Sequence, residues 1–524
     1  MQIIVPMSGT GSRFRQAGYR NLKPLIEIDG KTMIEHVIGM FPGEEDFLFV
    51  CTKSALAETP LRPVLQKLVP SGRIVEIDAH KLGPVHAVLQ ASDFVKRDEP
   101  VVVNYCDFSV EWDYQDFKRR MQMLACDGCI PAYRGFHPHT LGPNLYAYMR
   151  HRDNYLLEIA EKRCFTDNRM DEYASAGTYY FRSGELLLHY FQKAVERKLQ
   201  LNGEYYASVP YNLLVEDQLA VYIYELKKFF QWGTPEDLQE YLAWSRYFRE
   251  FENWRPAKPM VSGTTLIPMA GAGERFAKEG YTAPKPLVEV DGKSLVERSL
   301  ECLPQSNKWI AVCQSGHLND GQLSKVLHKI SPKVRTIPVQ ELTAGQLASC
   351  LVARDHIDPQ APLLIAPCDS ATIYDEDLLA RLTSDASIDC LIWTFRNHPH
   401  ANRNPQQYGW VVASKDGKAS DVLCKEAPSS PVDQAPGVVG TFWFRKAWYF
   451  SEAADRLISE NCRVNGEFYV DTCCKVLIKQ GRQAHIFPVE HYLCLGTPDD
   501  VRTYEYWAEH FHKQRKTRAA GAGA

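Results

Sequence analysis

The apolar run Ile3 to Met7 ends in Ser8-Gly9-Thr10-Gly11-Ser12-Arg13, and a lysine stands ten residues past the arginine, at Lys23. Glycines let backbone N–H groups approach an anion closely, and successive N–H groups form a concave anion nest. An arginine two residues on can fork onto phosphate oxygens. The loop is not a dinucleotide fingerprint, because no third glycine follows Gly11 at three residues. Gly30-Lys31-Thr32 is not a Walker loop either, since Leu25 stands where the earlier glycine is required. A second apolar run, Pro100 to Asn104, ends at Cys106-Asp107. The carboxyl ends of parallel strands are where open α/β sheets bind ligands.

The whole set recurs. Ile267 to Phe276 repeats the loop as Ala270-Gly271-Ala272-Gly273-Glu274-Arg275, followed by Lys285 and, much later, Asp369. Sixteen of the thirty positions from Pro6 to Glu35 are identical, without a gap, in the copy that starts at Pro268. The offset is 262 for Gly11/Gly273, Lys23/Lys285, Gly83/Gly345 and Asp107/Asp369, and 263 for Lys162/Lys425, Gly177/Gly440 and Glu204/Glu467. A repeat of half the chain means two copies of one domain. Duplication makes a mere tight turn a poor explanation of the loop.

Each copy alternates short apolar runs with helical stretches. In the first, strands are expected at Ile3–Met7, Phe47–Val50, Ile74–Ile77 and Pro100–Asn104, with helices at Lys31–Met40, Ala55–Leu68 and Val85–Phe94. Such alternation predicts βαβ units and a mainly parallel sheet. The expected layout is a first domain over 1–252, a linker at 253–263, a second domain over 264–511 and a disordered tail at 512–524. The aromatic stretch Trp244, Tyr247, Phe248 and Phe251 has helical spacing and reads as packing.

The formal charge of −4 leaves no electrostatic footprint for nucleic acid or an anionic membrane. No apolar run approaches the roughly 20 residues of a membrane helix. Fifteen cysteines without zinc-like pairs fit a reduced, cytoplasmic protein. His137-Pro138-His139 and His398-Pro399-His400 could ligate metal, but a polar or surface loop is the better reading.

The pattern G-x-G-x-R-F, G-Y, K-P-L-x-E-x-x-G-K, closing with Gly233-Thr234-Pro235-Glu236-Asp237-Leu238 and Gly496-Thr497-Pro498-Asp499-Asp500-Val501, resembles the sugar-phosphate nucleotidyltransferases, or NDP-sugar pyrophosphorylases. The Asn-Gly-Glu stretches and the methionine before each loop are most similar to small members associated with capsule and surface polysaccharides. The resemblance implies two tandem three-layer, Rossmann-like (GT-A-like) α/β domains with mostly parallel mixed sheets. It implies condensation of a nucleoside triphosphate with a sugar 1-phosphate, or a similar phosphorylated acceptor, releasing pyrophosphate. Arg13, Lys23, Arg275 and Lys285 would be the catalytic cations. Ser8, Gly9, Gly11, Gly83, Ala270, Gly271, Gly273, Gln340 and Gly345 would bind nucleotide, and Lys162, Gly177, Lys425 and Gly440 the acceptor. Asp107 and Asp369 would hold Mg²⁺.

The chain departs from the family in places. The family's second metal aspartate is replaced by Gln231 and Cys494, which leaves Glu204 and Glu467 as candidates, and Asp471 in the second half alone. Leu22 stands where the second copy has Pro284, and Asp78 where it has Gln340. One catalytic half beside a regulatory or binding half stays open as an alternative. So does a glycosyltransferase, for which Glu111-Trp112-Asp113 and Asp375-Glu376-Asp377 come closest to a metal motif. The base, the acceptor and the oligomeric state, a homo-oligomer included, are open.

Overall fold

The structure is a computed structural model that describes residues 1–9, 11–257 and 260–521. Thr10 of the first loop, Lys258 and Pro259 of the expected linker, and the last three residues of the expected tail lie outside the described residues. The chain divides into two compact units, 1–243 and 244–524.

In the first unit a ten-stranded sheet is assembled around Gln2–Met7. Phe47–Thr52 pairs with it in parallel on one side and Val101–Asn104 on the other, and Arg73–Ile77 extends the parallel part. Side chains alternate between two buried layers. Ile3, Val5 and Val102 face one, and Ile4, Val101 and Val103 the other. Burial on both faces explains why these strands are continuous apolar runs, each such side chain contributing about 1.5–3 kcal/mol. Beyond Val101–Asn104 the sheet becomes mixed, because Thr178–Phe181 pairs antiparallel with it and with Gly128–Tyr133. The second unit repeats the plan: Met260–Met269 lies between the parallel strands Gln305–Gln314 and Leu363–Ile365, and Gly437–Phe444 opens the mixed part.

The sequence from Gly30 shows how local chemistry builds this frame. Glu27–Ile28 and Lys31–Thr32 form a hairpin around Asp29 and Gly30, both with positive φ, the turn that Asp-Gly favours. Thr32 then caps the helix Met33–Gly39, its hydroxyl accepting from Glu35 N at 3.4 Å. The lysine and threonine of the Walker-like triplet are thereby accounted for by a turn and a cap. The carboxylates of the D-x-D-like segments also cap helices, Asp113 at Tyr114–Leu124 and Asp375 at Glu376–Ser384.

Two expectations are corrected. The segment expected as a disordered tail continues a helix, Pro498–Gly521, in which the His512 imidazole and the Arg515 guanidinium both engage Glu252. The last residues of the expected linker already belong to the strand Met260–Met269. The aromatic stretch packs within the second unit, where Trp244 and Phe248 meet Tyr504 and Tyr247 stacks on His491. Among the described residues no helix is long and apolar enough to cross a membrane.

Candidate active site

The strand Gln2–Met7 sends its chain to one side and Val101–Asn104 sends its chain to the other. A crevice opens at their carboxyl ends, the usual ligand position of such sheets. It brings the glycine loop and Asp107 together. Gly11, at φ 60°, starts the short helix Ser12–Gln16, and a Cβ there would lie 3.6 Å from Lys23 Cβ. That contact is an ordinary one, so it is the left-handed φ that favours glycine here. Lys23 Nζ donates to Asp107 Oδ2 at 2.7 Å and to Gly233 O at 2.9 Å, over the Phe14 ring. Arg13 is exposed and lines the same cleft, of about 260 Å³. Ser8 is buried at the strand end, and Gly9 is open to solvent.

The second unit reproduces the arrangement in a cleft of about 220 Å³, which Arg275 lines. Gly273, at φ 66°, approaches Lys285, and the Lys285 ammonium bonds Asp369 Oδ2. Burial works against the charge on Asp369, but Lys285 and Arg275 outweigh it and hold its carboxyl below the usual range. Burial likewise disfavours the charge on Lys285, and Asp369 more than restores it. Ala270 is buried and accepts from Gln314 Nε2 at 2.9 Å, while Gly271 is exposed.

Gly83 and Gly345 have a structural reason visible in each unit. A Cβ on Gly83 would lie 2.8 Å from Tyr205 O and 2.9 Å from Tyr205 N. On Gly345 it would lie 2.7 Å from Phe468 O and 2.8 Å from Phe468 N. The Asn-Gly-Glu loops are pinned there by Tyr205 N to Leu82 O and by Phe468 N to Ala344 O. This fixes Glu204, which lines the first cleft and accepts from Tyr206 OH at 2.7 Å. Glu467 bonds the Tyr469 hydroxyl, and Gln346 lines the second cleft. Gln340 is exposed, whereas its counterpart Asp78 is engaged by Lys53 at 2.8 Å.

Lys162 and Lys425 both line their clefts from a left-handed backbone, at φ 56° and 58°. Such a conformation costs a non-glycine residue of order 1–3 kcal/mol and persists where surroundings impose it. Lys162 N donates to Tyr146 O and Lys425 N to Tyr408 O. Each ammonium lies over a tyrosine ring, 5.2 Å from Tyr206 and 5.3 Å from Tyr469. Gly177 and Gly440 line the clefts at φ 96° and 98°. Gln231 and Cys494 also line them, where the family has an aspartate.

Sequence reasoning missed the two tyrosines, although Tyr206 and Tyr469 recur at the same offset as the lysines they carry. It also missed the second-unit pair His400 and Asp500, 3.4 Å apart at the cleft. His137 and His139 of the first unit go into packing. His137 is buried, which pushes it down to about 4, and it lies against Tyr133; His139 bonds the Tyr133 hydroxyl at 2.8 Å.

The model of the MobA-like NTP transferase domain matches the chain twice, at residues 3–167 and 265–431. No curated protein matches it by sequence. Similar solved structures include the nucleoside-diphosphate-sugar pyrophosphorylase from Vibrio cholerae RC9, at 22% identity, TM-score 0.39, covering 46% of this chain and 99% of that one. The inositol-1-phosphate CTP transferase from T. maritima is 13% identical, TM-score 0.37, with 49% and 98% covered. A UDP-glucose pyrophosphorylase complexed with UDP-glucose is 16% identical, TM-score 0.37, with 48% and 99% covered. The two domain matches each run from the first strand past the glycine loop, the lysine–aspartate pair and the left-handed lysine; the chain belongs to the MobA-like NTP transferase domain family and is a tandem nucleotidyltransferase.

Proposed function

We propose that each unit condenses a nucleoside triphosphate with a sugar 1-phosphate, or a related phosphorylated acceptor, to give an NDP-sugar and pyrophosphate. The observation that carries this reading is the lysine–aspartate contact at the crevice, present in both units beside the glycine loop. A phosphate oxygen of the acceptor attacks the α-phosphorus in line. The new P–O bond forms as the bond to the bridging oxygen breaks, and pyrophosphate takes the electron pair. Phosphoryl chemistry of this kind needs positioning and charge stabilisation more than covalent help.

The loop N–H groups and Arg13 or Arg275 hold the triphosphate. Lys23 and Lys285 are fixed in advance by their carboxylates, so little reorganisation is needed when charge develops. Lys162 and Lys425 receive the acceptor phosphate. Mg²⁺ fits the donor set present, hard carboxylate oxygens on Asp107 and Glu204 that line one cleft and on Asp369 that lines the other, and Mg²⁺ commonly takes one or two carboxylates and keeps several waters. Asp107 with Glu204, and Asp369 with Glu467, would hold it, and it would neutralise charge on the phosphate oxygens. The product would serve capsule or surface-polysaccharide assembly from the cytoplasm, a role supported by the likeness of the Asn-Gly-Glu stretches. The test is pyrophosphate release that requires both a triphosphate and a sugar 1-phosphate; triphosphate cleavage indifferent to every acceptor contradicts it.

A further inference from the structure

The acceptor ends of the two clefts share a backbone and differ in a coupled set of side chains. In the first unit Glu161, at the end of the strand Tyr155–Glu161, lines the cleft, and the Ser208 hydroxyl behind it donates to its carboxylate. At the positions 263 residues on, Cys424 ends the strand Ala419–Cys424 and Asp471 lies in the helix Val470–Lys479. There the helix residue Asp471 lines the cleft, and the Cys424 thiol bonds it. Strand register supplies a third position, at the offset of 262: Ala147 pairs with Glu161 as Gly409 pairs with Cys424, and a Cβ at Gly409 would lie 2.6 Å from Asp471 Oδ2. The carboxylate has moved from the strand wall to the helix wall, and the facing residue has lost the methyl that would collide with it.

The floor changes in concert. Ser175 and Tyr179, with hydroxyls 3.1 Å apart, line the first cleft. Val438 and Phe442 take their places in the second. A pocket discriminates most strongly through polar groups that a wrong ligand leaves unpaired. At this wall the first cleft offers a carboxylate beside hydroxyls, and the second offers the Asp471 carboxylate beside the apolar Val438 and Phe442, with the His400–Asp500 pair elsewhere on its lining.

We infer that the two units take different phosphorylated acceptors. The first takes a polyhydroxylated one, read by Glu161, Ser175 and Tyr179. The second takes one that presents a hydrogen-bond donor to Asp471 and apolar surface, in place of hydroxyls, to Val438 and Phe442. This rests on the nucleotidyl transfer proposed above.

The test uses full-length Asp369→Ala and Asp107→Ala chains, each leaving one unit intact. Pyrophosphate release is measured with each nucleoside triphosphate against glucose 1-phosphate and mannose 1-phosphate, and against 3-hydroxypropyl phosphate and 4-hydroxybutyl phosphate, which carry one hydroxyl on an apolar chain. The expected result is opposite preferences, the kcat/KM ratio between the two acceptor classes differing by at least about tenfold between the variants. The same ranking in both, or one unit silent with every acceptor, overturns the inference. A wild-type chain silent with every pair sinks the transfer reading instead. In the Asp107→Ala background, Gly409→Ala/Cys424→Glu/Asp471→Ser should shift preference towards the sugar phosphates. The milder Asp471→Asn should lower kcat/KM for the preferred acceptor with the KM for triphosphate unchanged; no change in acceptor kinetics with Asp471→Asn contradicts the assignment.

Discussion

Lys23 Nζ bridges Asp107 Oδ2 at 2.7 Å and Gly233 O at 2.9 Å, joining three segments that the sequence holds far apart. The Lys285–Asp369 contact repeats it 262 residues on. A cation fixed before substrate arrives is worth most where charge develops, and losing one such group typically costs about 10²–10³ in rate. Lys23→Met in the Asp369→Ala background, and Lys285→Met in the Asp107→Ala background, should each lower kcat by about that factor. Pyrophosphate release under saturating substrates measures it, and a change below about threefold would place the lysines outside the reacting centre.

The same contact carries a pH signature. Lys285 and Arg275 hold the Asp369 carboxyl below its ordinary range against the opposing effect of burial. A depressed folded value contributes stability that is present above the unfolded pKa, about 4 for aspartate, and is lost as pH falls through the folded value. The Tm deficit of Lys285→Met relative to wild type should therefore be largest near neutral pH and shrink below about pH 4. A deficit that is flat with pH would show that the pair contributes packing and no charge linkage.

Asp471 has the opposite sign. Burial raises its carboxyl, and the Cys424 thiol and Lys425 only partly offset this. The cost is absent below the ordinary carboxylate range and grows as pH rises towards the folded value. Asp471→Asn should raise Tm at pH 7–8, with the gain fading towards about pH 4, while it weakens acceptor use. Lower stability of the variant at neutral pH would contradict this.

Gly83 combines φ 86° with backbone of Tyr205 against its α-carbon, and Gly345 combines φ 112° with that of Phe468. Alanine at either position should displace the Asn-Gly-Glu loop and cost of order 1–3 kcal/mol. Urea unfolding reads this as a lower midpoint at unchanged slope. A neutral substitution would mean that the loop is free to move off the helix start.

The parallel strands, both glycine loops and the recurrence of Lys23 and Asp107 were legible because each rests on a repeated local signal: an apolar run, a glycine, a charge at fixed offset; the bond between that lysine and that aspartate was not. What the sequence hid is set by tertiary geometry. The left-handed backbone of Lys162 and Lys425 carries no residue-type signature, since neither is glycine or asparagine. The coupling of Gly409 to Asp471 needs two elements to meet across a cleft. The helix through the basic segment after Phe511 reads as disorder by composition, and its contacts from His512 and Arg515 to Glu252 bridge residues about 260 apart.

Pyrophosphate release by wild type, Asp107→Ala, Asp369→Ala and the double variant tests the tandem-enzyme reading most directly, with every triphosphate against the acceptor panel. The expected result is release that requires both substrates, survives in part in each single variant with a different substrate pair, and vanishes in the double. Undiminished release from the double variant, or one single variant that loses all turnover while the other loses none, would contradict two active sites of one reaction type.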